Sequence, residues 1–434
     1  MNQAMARAHR AAYMQAMHGG VAVHGTGPER VRSRDSHYRF RPDSDFWYLT
    51  GYPEPDAVAV LRPDAETERY VLFVRPRDPE KEVWNGRRAG VDGARTIYGA
   101  DAAYPIETLD EHLPRLLRGS SRLHYATGLD VDFDRKLLGW LRDMHARTRD
   151  GITLPADLIH PSSVLHELRL FKSADEVAVL RRAAALTNDA HRAAMAGVHE
   201  GMGEYEIEAL VEGAFRSGGG AGPGYLSICA AGNNATVLHY NTNNGRVGKG
   251  ELVLLDAGCE VDGYTADVTR SFPATGRFSA PQREIYDAVL AAQLDGCRQV
   301  APGNTFLSVH EVTLRRLVQG MIDLQLLTGS VEENLASREY LRYYMHRTSH
   351  WLGLDVHDVG AYYVAGQQSR PLQPGMVLTV EPGIYVAADD ERAPQRLRGI
   401  GVRIEDDLLV TPAGHEVLTA AIPKTVADVE GARR

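Results

Sequence analysis

Four acidic residues end apolar runs that read as strands, and this feature restricts the fold of the chain more than any other. Glu251-Leu-Val-Leu-Leu-Asp256 runs into an aspartate, and Tyr264-Thr-Ala-Asp267-Val-Thr-Arg-Ser-Phe reads as its return strand. Glu381 closes Met376-Val-Leu-Thr-Val ahead of Pro382-Gly383, and Glu405 closes Gly401-Val-Arg-Ile. Runs so rich in Val and Leu belong in an interior, and an ionised carboxylate carried in with them needs a partner.

Geometry alone can bring the first two acids together. A two-residue loop at Val261-Asp262 would set Asp256 directly opposite Asp267, whereas a loop at Asp262-Gly263 would make them diagonal neighbours on one face. Directly opposed Cβ atoms lie about 4.5–5.5 Å apart, where two carboxylates repel unless a cation sits between them. For this pair taken alone, a solvated hairpin face is the alternative. Glu381, Glu405 and the segment Met345-His346-Arg-Thr-Ser-His350-Trp-Leu-Gly-Leu-Asp355-Val-His357-Asp358 favour a shared cation site. One imidazole with four carboxylates suits two divalent metal ions, manganese, cobalt or zinc, and the richness in oxygen leans toward manganese. Without metal the cluster would hold uncompensated negative charge, leaving it weaker or partly protonated.

With 434 residues, the chain exceeds what one core usually serves, so two domains are expected. Residues 20–165 alternate short β-rich runs with Pro- or Gly-bearing turns and a few helical stretches, an α/β pattern that breaks near 158–163. A long amphipathic helix then opens at Ser173, with Glu176 completing a capping box and Val177, Leu180, Ala184 and Thr187 at helical spacing. Further helices are expected over 205–217, 281–300 and 305–327, with strands over 251–257 and 376–380, and the glycine cluster at 217–224 reads as a loop. The domain boundaries are set at 1–168 and 169–434. The net charge of −9, with no basic block, disfavours nucleic acid as a partner. No stretch approaches the roughly 20 apolar residues of a membrane span, and the expected location is the cytoplasm. Cys229, Cys259 and Cys297 show no C-x-x-C spacing and read as reduced thiols.

Asp256, Asp267, His350, Glu381 and Glu405, in that order, resemble the metal ligands of the methionine aminopeptidase, prolidase and aminopeptidase P superfamily. The frames Leu255-Asp256-Ala-Gly-Cys, Ser349-His350-Trp-Leu-Gly-Leu-Asp-Val-His357-Asp, Thr379-Val-Glu381-Pro-Gly and Gly401-Val-Arg403-Ile-Glu405-Asp look like bacterial aminopeptidase P. Tyr38-Arg-Phe-Arg-Pro-Asp-Ser-Asp45-Phe-Trp-Tyr-Leu-Thr-Gly is similar to the signature of that family's extra N-terminal domain. The resemblance implies an α/β N-terminal domain followed by an α+β catalytic domain of the pita-bread (creatinase/aminopeptidase) type, two related halves closing a curved sheet over the metals.

It further implies an exopeptidase that releases the residue preceding proline, by attack of a metal-bridging hydroxide. Glu381 would carry the proton as well as ligate, and His239 and His357 would contact the scissile carbonyl, their alternative being a structural role. Arg403, two residues before Glu405 and so on the same strand face, could hold a ligating carboxylate. Tyr225, Trp84 and Arg370 match positions that line the family's active site, and His346 is a further substrate-binding candidate whose alternative is a satisfied core histidine. Peptides beginning Xaa-Pro are the implied partners, and the implied assembly is a homo-oligomer, dimer or tetramer, with Asp35 resembling a residue contributed across subunits. Arg347 and Ala266 depart from the family pattern, where glycine, or glycine or serine, is usual. The nearest rival reading is prolidase, which shares all five ligands but acts on dipeptides. The rival from another class is a non-catalytic peptide- or protein-binding module.

Overall fold

Val- and Leu-rich runs punctuated by Gly and Pro form the sheet of the first unit. The computed structural model describes residues 1–433 and divides into two compact units, Met1–Leu168 and Arg169–Arg434. After helix α1 (Gln3–Ala16), the first unit places β1 (Val21–Gly25), β2 (Val58–Leu61), β3 (Tyr70–Val74), β4 (Ala102–Pro105), β5 (Arg122–His124) and β6 (Asp157–Ile159) in one sheet of order β4-β3-β2-β1-β5-β6. The β1–β2 and β2–β3 pairs are antiparallel, and the others are parallel. Helix α2 (Pro79–Asn85) also belongs to this unit. No helix of the described residues is long and apolar enough to cross a membrane.

In the second unit, α3 (Ala174–Gly197) begins at Ser173, whose hydroxyl accepts from Glu176 N while Glu176 accepts from Ser173 N at 2.8 Å. The other Glu176 oxygen accepts from Tyr264 OH at 2.8 Å, so the cap also ties the helix to the strands beneath it. Helices α4 (Glu204–Ser217), α5 (Ala280–Gln299) and α6 (Phe306–Asp323) follow the apolar periodicity. Helix α6 ends four residues short of the expected 327. Leucine spacing continues past the end, but Gln325 takes φ +63° and Leu326 and Leu327 turn back to donate to Met321 O. The glycine-rich stretch is not wholly a loop either, since β7 (Gly222–Pro223) adds an edge to a later strand.

Around the site, β8 (Ile228–Ala231), β9 (Leu252–Asp256), β10 (Cys259–Val261), β11 (Tyr264–Thr265) and β12 (Thr269–Pro273) form the first set of strands. The second set comprises β13 (Val377–Val380), β14 (Gly383–Val386), β15 (Ile400–Arg403), β16 (Asp406–Thr411) and β17 (Gly414–Val417). Both sets are broken ladders that keep register across the break. Asp262 and Gly263 carry φ +52° and +89°, so a tight turn sits at these two residues, and Val261 pairs with Tyr264. The same register pairs Asp256 with Thr269. Of the two loops left open by the sequence, the structure therefore adopts the second, with Asp256 and Asp267 as diagonal neighbours.

The second set repeats the device. Val380 pairs with Asp406 and Gly383 with Arg403, so Glu381 and Glu405, in the two breaks, face each other directly. Backbone bonds then knit the two sets together: Glu405 N donates to Thr269 O at 3.1 Å, and Asp267 N donates to Asp407 Oδ2 at 3.1 Å. Beneath them, buried Arg270 donates to Glu405 O and to Asp406 Oδ1.

The break in the first ladder demands glycine at 258. A Cβ there would lie 1.7 Å from Ala266 O, a backbone atom that cannot move without displacing Asp267. Gly258→Ala should therefore cost about 3 kcal/mol of stability through overpacking. Denaturant unfolding should show this as a lowered midpoint, and an unaltered midpoint would contradict the reading.

Candidate metal centre

The acids are delivered by a strand end or a ladder break, and Asp256 and Glu405 are fixed by specific neighbours. Asp256, the last residue of β9, is 8% exposed and accepts from Tyr225 OH at 2.7 Å and from Arg403 Nη2 at 2.6 Å. Glu405, just after β15, is 2% exposed and accepts from Thr269 Oγ1 at 2.6 Å. Arg403 is also buried. Besides Asp256, its fork reaches Thr269 Oγ1 at 3.0 Å and Tyr385 OH at 3.1 Å. One guanidinium thus orients Asp256 directly and Glu405 through Thr269, a use of planar geometry that lysine could not reproduce.

His350 shows which ligand chemistry the site suits. Its Nδ1 lies 3.0 Å from Trp351 O, and a carbonyl can only accept, so Nδ1 carries the hydrogen. Nε2 then faces Asp267 Oδ2 at 3.3 Å and Glu381 Oε1 at 3.5 Å. With Nδ1 held by a carbonyl, Nε2 is the nitrogen left to the cluster, donating a proton to the carboxylates or, once that proton is given up, a lone pair to a metal ion. Ligand atoms of Asp267, His350 and Glu405 all lie within 4.8 Å of one another, so these three could share one ion. Glu381 borders this trio through His350, and Asp256 lines the same cavity.

The electrostatics of the cluster's own groups agree with that donor set. Burial raises the Asp256 carboxyl, an effect opposed by Arg403, and raises Glu381 to about 8, opposed by His350. Burial, with Asp267 and Glu381 beside it, lifts Glu405 well above the usual carboxylate range. For His350, burial by itself would lower the pKa, but the hydrogen bond and charge of Asp267 and the charge of Glu381 outweigh it and raise the value to about 9. The cluster thus holds protons in places that a cation would take.

The cavity has a volume of about 770 Å³. Its walls include all five residues above together with Tyr225, His239, His346, His357 and Arg403. The His357 ring meets the His350 ring edge-on at 4.4 Å, and partial burial followed by the His350 charge lowers its pKa. Burial also lowers His346, to about 3, so its ring is neutral near pH 7. Its Nδ1 donates to Arg347 O at 2.8 Å and its Nε2 accepts from Tyr385 OH at 2.8 Å.

Two expected substrate contacts are not among the residues that line this cavity. Arg370 is 8% exposed, donates to Ala361 O and lies over the Phe171 ring. Trp84 belongs to the first unit, on α2, where it is 86% exposed.

Sequence reasoning missed several supporting residues. Thr269 and Tyr385 connect Arg403 to Glu405 and His346, and Thr379 Oγ1 accepts from His350 N at 3.2 Å. Asp407 holds the Asp267 backbone. Its signal was available, because an acid two residues past Glu405 falls on the same strand face. The apolar wall of Phe306, Leu307, Val356, Tyr362 and Tyr363 had no comparable signature.

Two outcomes follow from this geometry. Replacing the fork with a point charge, Arg403→Lys, should weaken divalent-cation affinity by about 10- to 100-fold, measurable by calorimetric titration. The second concerns pH. Acids raised in the folded state bind more protons folded than unfolded between the two pKa values, so stability falls as pH rises from about 4.5 to about 8 through Glu381. The raised pKa of His350 has the same sign, its contribution being lost as pH rises from about 6.5 through about 9. Thermal unfolding with chelator and with manganese should therefore diverge as pH increases, and a constant gap between the two would count against this assignment.

Residues 178–412 match the profile of metallopeptidase family M24, and residues 6–125 match the aminopeptidase P N-terminal domain. The chain is 43% identical to an Xaa-Pro aminopeptidase of Escherichia coli (strain K12), over 99% of this chain and 97% of that one. It is 35% identical to Xaa-Pro aminopeptidase 3 of Homo sapiens, over 93% and 79%. The structure of Pseudomonas aeruginosa aminopeptidase PepP superposes with a TM-score of 0.97 at 47% identity, covering 100% of this chain and 98% of that one. A zinc-substituted Escherichia coli aminopeptidase P in complex with product superposes at 0.96 with 42% identity, over 100% and 98%. The chain belongs to the aminopeptidase P branch of metallopeptidase family M24, and its second unit carries the pita-bread catalytic fold.

Proposed function

We propose that this protein is an Xaa-Pro aminopeptidase whose five residues Asp256, Asp267, His350, Glu381 and Glu405 hold two divalent cations, manganese before cobalt or zinc. The observation that carries the reading is His350: its Nδ1 is committed to Trp351 O and its Nε2 is aimed at two carboxylates in a cavity lined by the other two acids. The oxygen-rich donor set favours manganese. When bound, the cations would acidify a water molecule and polarise the scissile carbonyl.

The roles of the protein's own groups follow from their positions. Glu381, at the break between β13 and β14, takes the proton of the attacking water and passes it to the proline nitrogen. His239 and His357 line the cavity and donate to the carbonyl oxygen as negative charge develops on it. Arg403 holds Asp256, and Tyr225 bonds the other oxygen of the same carboxylate. Proline after the scissile bond lacks an amide hydrogen, so the site needs no acceptor there. The wall of Phe306, Leu307, Val356, Tyr362 and Tyr363 suits an apolar ring. The same reading takes the protein as a cytoplasmic homo-oligomer, dimer or tetramer, in keeping with the family resemblance.

With manganese, Xaa-Pro-Yaa peptides should be cleaved after the first residue. Glu381→Ala should lower kcat by about 10²- to 10⁴-fold, the usual contribution of a positioned proton carrier, or further if a cation is also lost. Hydrolysis of Xaa-Pro dipeptides with tripeptides left intact would identify a prolidase instead. A non-catalytic module would show no metal-dependent turnover for the variant to lose.

A further inference from the structure

Two arginines line the cavity, Arg347 and Arg403. The Arg403 fork is spent on Asp256, Tyr385 and Thr269. Arg347 is exposed on the cavity wall, and its guanidinium has no hydrogen-bond or ion-pair partner among the described residues. Its backbone, by contrast, is pinned on both sides. His346 Nδ1 donates to Arg347 O at 2.8 Å. Thr348 Oγ1 lies 2.8 Å from both Tyr344 OH and His310 Nδ1, and Thr348 O accepts from Glu381 N at 2.8 Å. A rigid backbone beside Glu381 therefore presents a cation with nothing yet to bind.

The charges of a short peptide match this cavity. Its ammonium end is drawn to Asp256, Asp267, Glu381 and Glu405 and repelled by a guanidinium. Its carboxylate end has the opposite preferences, and a guanidinium receives a carboxylate through two parallel N–H···O bonds. In an extended Xaa-Pro-Yaa, the terminal carboxylate lies about 7 Å beyond the scissile carbonyl, two residues on. A cavity of about 770 Å³ has room for that length.

We propose that Arg347 receives a substrate carboxylate beyond the scissile bond, that of the free C terminus of an Xaa-Pro-Yaa tripeptide, and so makes the enzyme prefer short acidic-ended peptides over neutral-ended ones. The inference rests on the Xaa-Pro aminopeptidase reading and deepens it. Arg347 acts as a specificity determinant and takes no part in proton transfer.

The test compares the metal-loaded full-length protein on Ala-Pro-Ala with a free terminus, on its C-terminal amide, and on Ala-Pro-Glu-amide and Ala-Pro-Gln-amide. For the wild type, KM for the free acid should be about tenfold below that for the amide, with the gap shrinking in high salt. In Arg347→Gln the acid-to-amide ratio of kcat/KM should fall toward one, the change residing in KM for the acid, and Arg347→Lys should restore part of it. Equal kcat/KM for acid and amide in the wild type would overturn the proposal, as would a ratio that survives in Arg347→Gln. A preference that follows the glutamyl side chain rather than the terminus would overturn the assigned source of the carboxylate. If none of the four peptides is cleaved, the aminopeptidase reading itself fails, and this proposal with it.

Discussion

Mutual repulsion among four buried carboxylates is the constraint around which the second unit is arranged. Asp256, Asp267, Glu381 and Glu405 converge at two ladder breaks, and burial, reinforced by the neighbouring carboxylates, pushes three of them upward in pKa. Such a cluster is tolerable only if every oxygen is accounted for. Tyr225, Arg403 and Thr269 bind the carboxylates of Asp256 and Glu405, and Asp407 fixes the Asp267 backbone from behind. What remains for a cation is the face on which Asp267, Glu381 and His350 meet.

The ladder breaks explain how a strand can carry an acid inward without losing its pairing. Register continues on each side, as Val380–Asp406 and Gly383–Arg403 demonstrate, but the residues between are released from strict alternation and their side chains turn into the cavity. The cost appears as close backbone approach, of which Gly258 against Ala266 O is the sharpest instance. A chain of hydrogen bonds then runs outward from the acids, from Asp256 to Arg403, to Tyr385, to His346 and on to Arg347 O. Each donor and acceptor in it has one consistent role, which fixes the rim backbone, while burial keeps His346 neutral.

Much of this was legible in advance, for reasons that differ by residue. The Ser173 cap and the helices at 205–217 and 281–300 follow from local rules of capping and periodicity, so they fall within a residue or so of expectation. The end of α6 does not, because Leu326 and Leu327 keep helical spacing while packing from a turn, and periodicity cannot distinguish the two. Arg370 matches a position lining the family's active site, whereas its side chain donates to Ala361 O and lies over the ring of Phe171, contacts that no local rule predicts. Arg347 looked like a mere departure from pattern, and only its lack of a partner gives it meaning.

By itself the sequence determined that acids must end apolar strands, that Asp256 and Asp267 must share a hairpin, and that the family resemblance should extend over nearly the whole chain. These are properties of residue order and of period-two alternation, which act over short distances along the chain. It left the hairpin register open between two loops, and the left-handed backbone at Asp262 and Gly263 closed that choice. Only the tertiary structure decided that Glu381 faces Glu405, that Arg403 serves Asp256 through one fork and Glu405 through Thr269, and that His350 points Nε2 at carboxylates. Those contacts join segments well separated along the chain, Arg403 and Asp256 by 147 residues, where no local rule reaches and only packing of the whole unit fixes which groups meet.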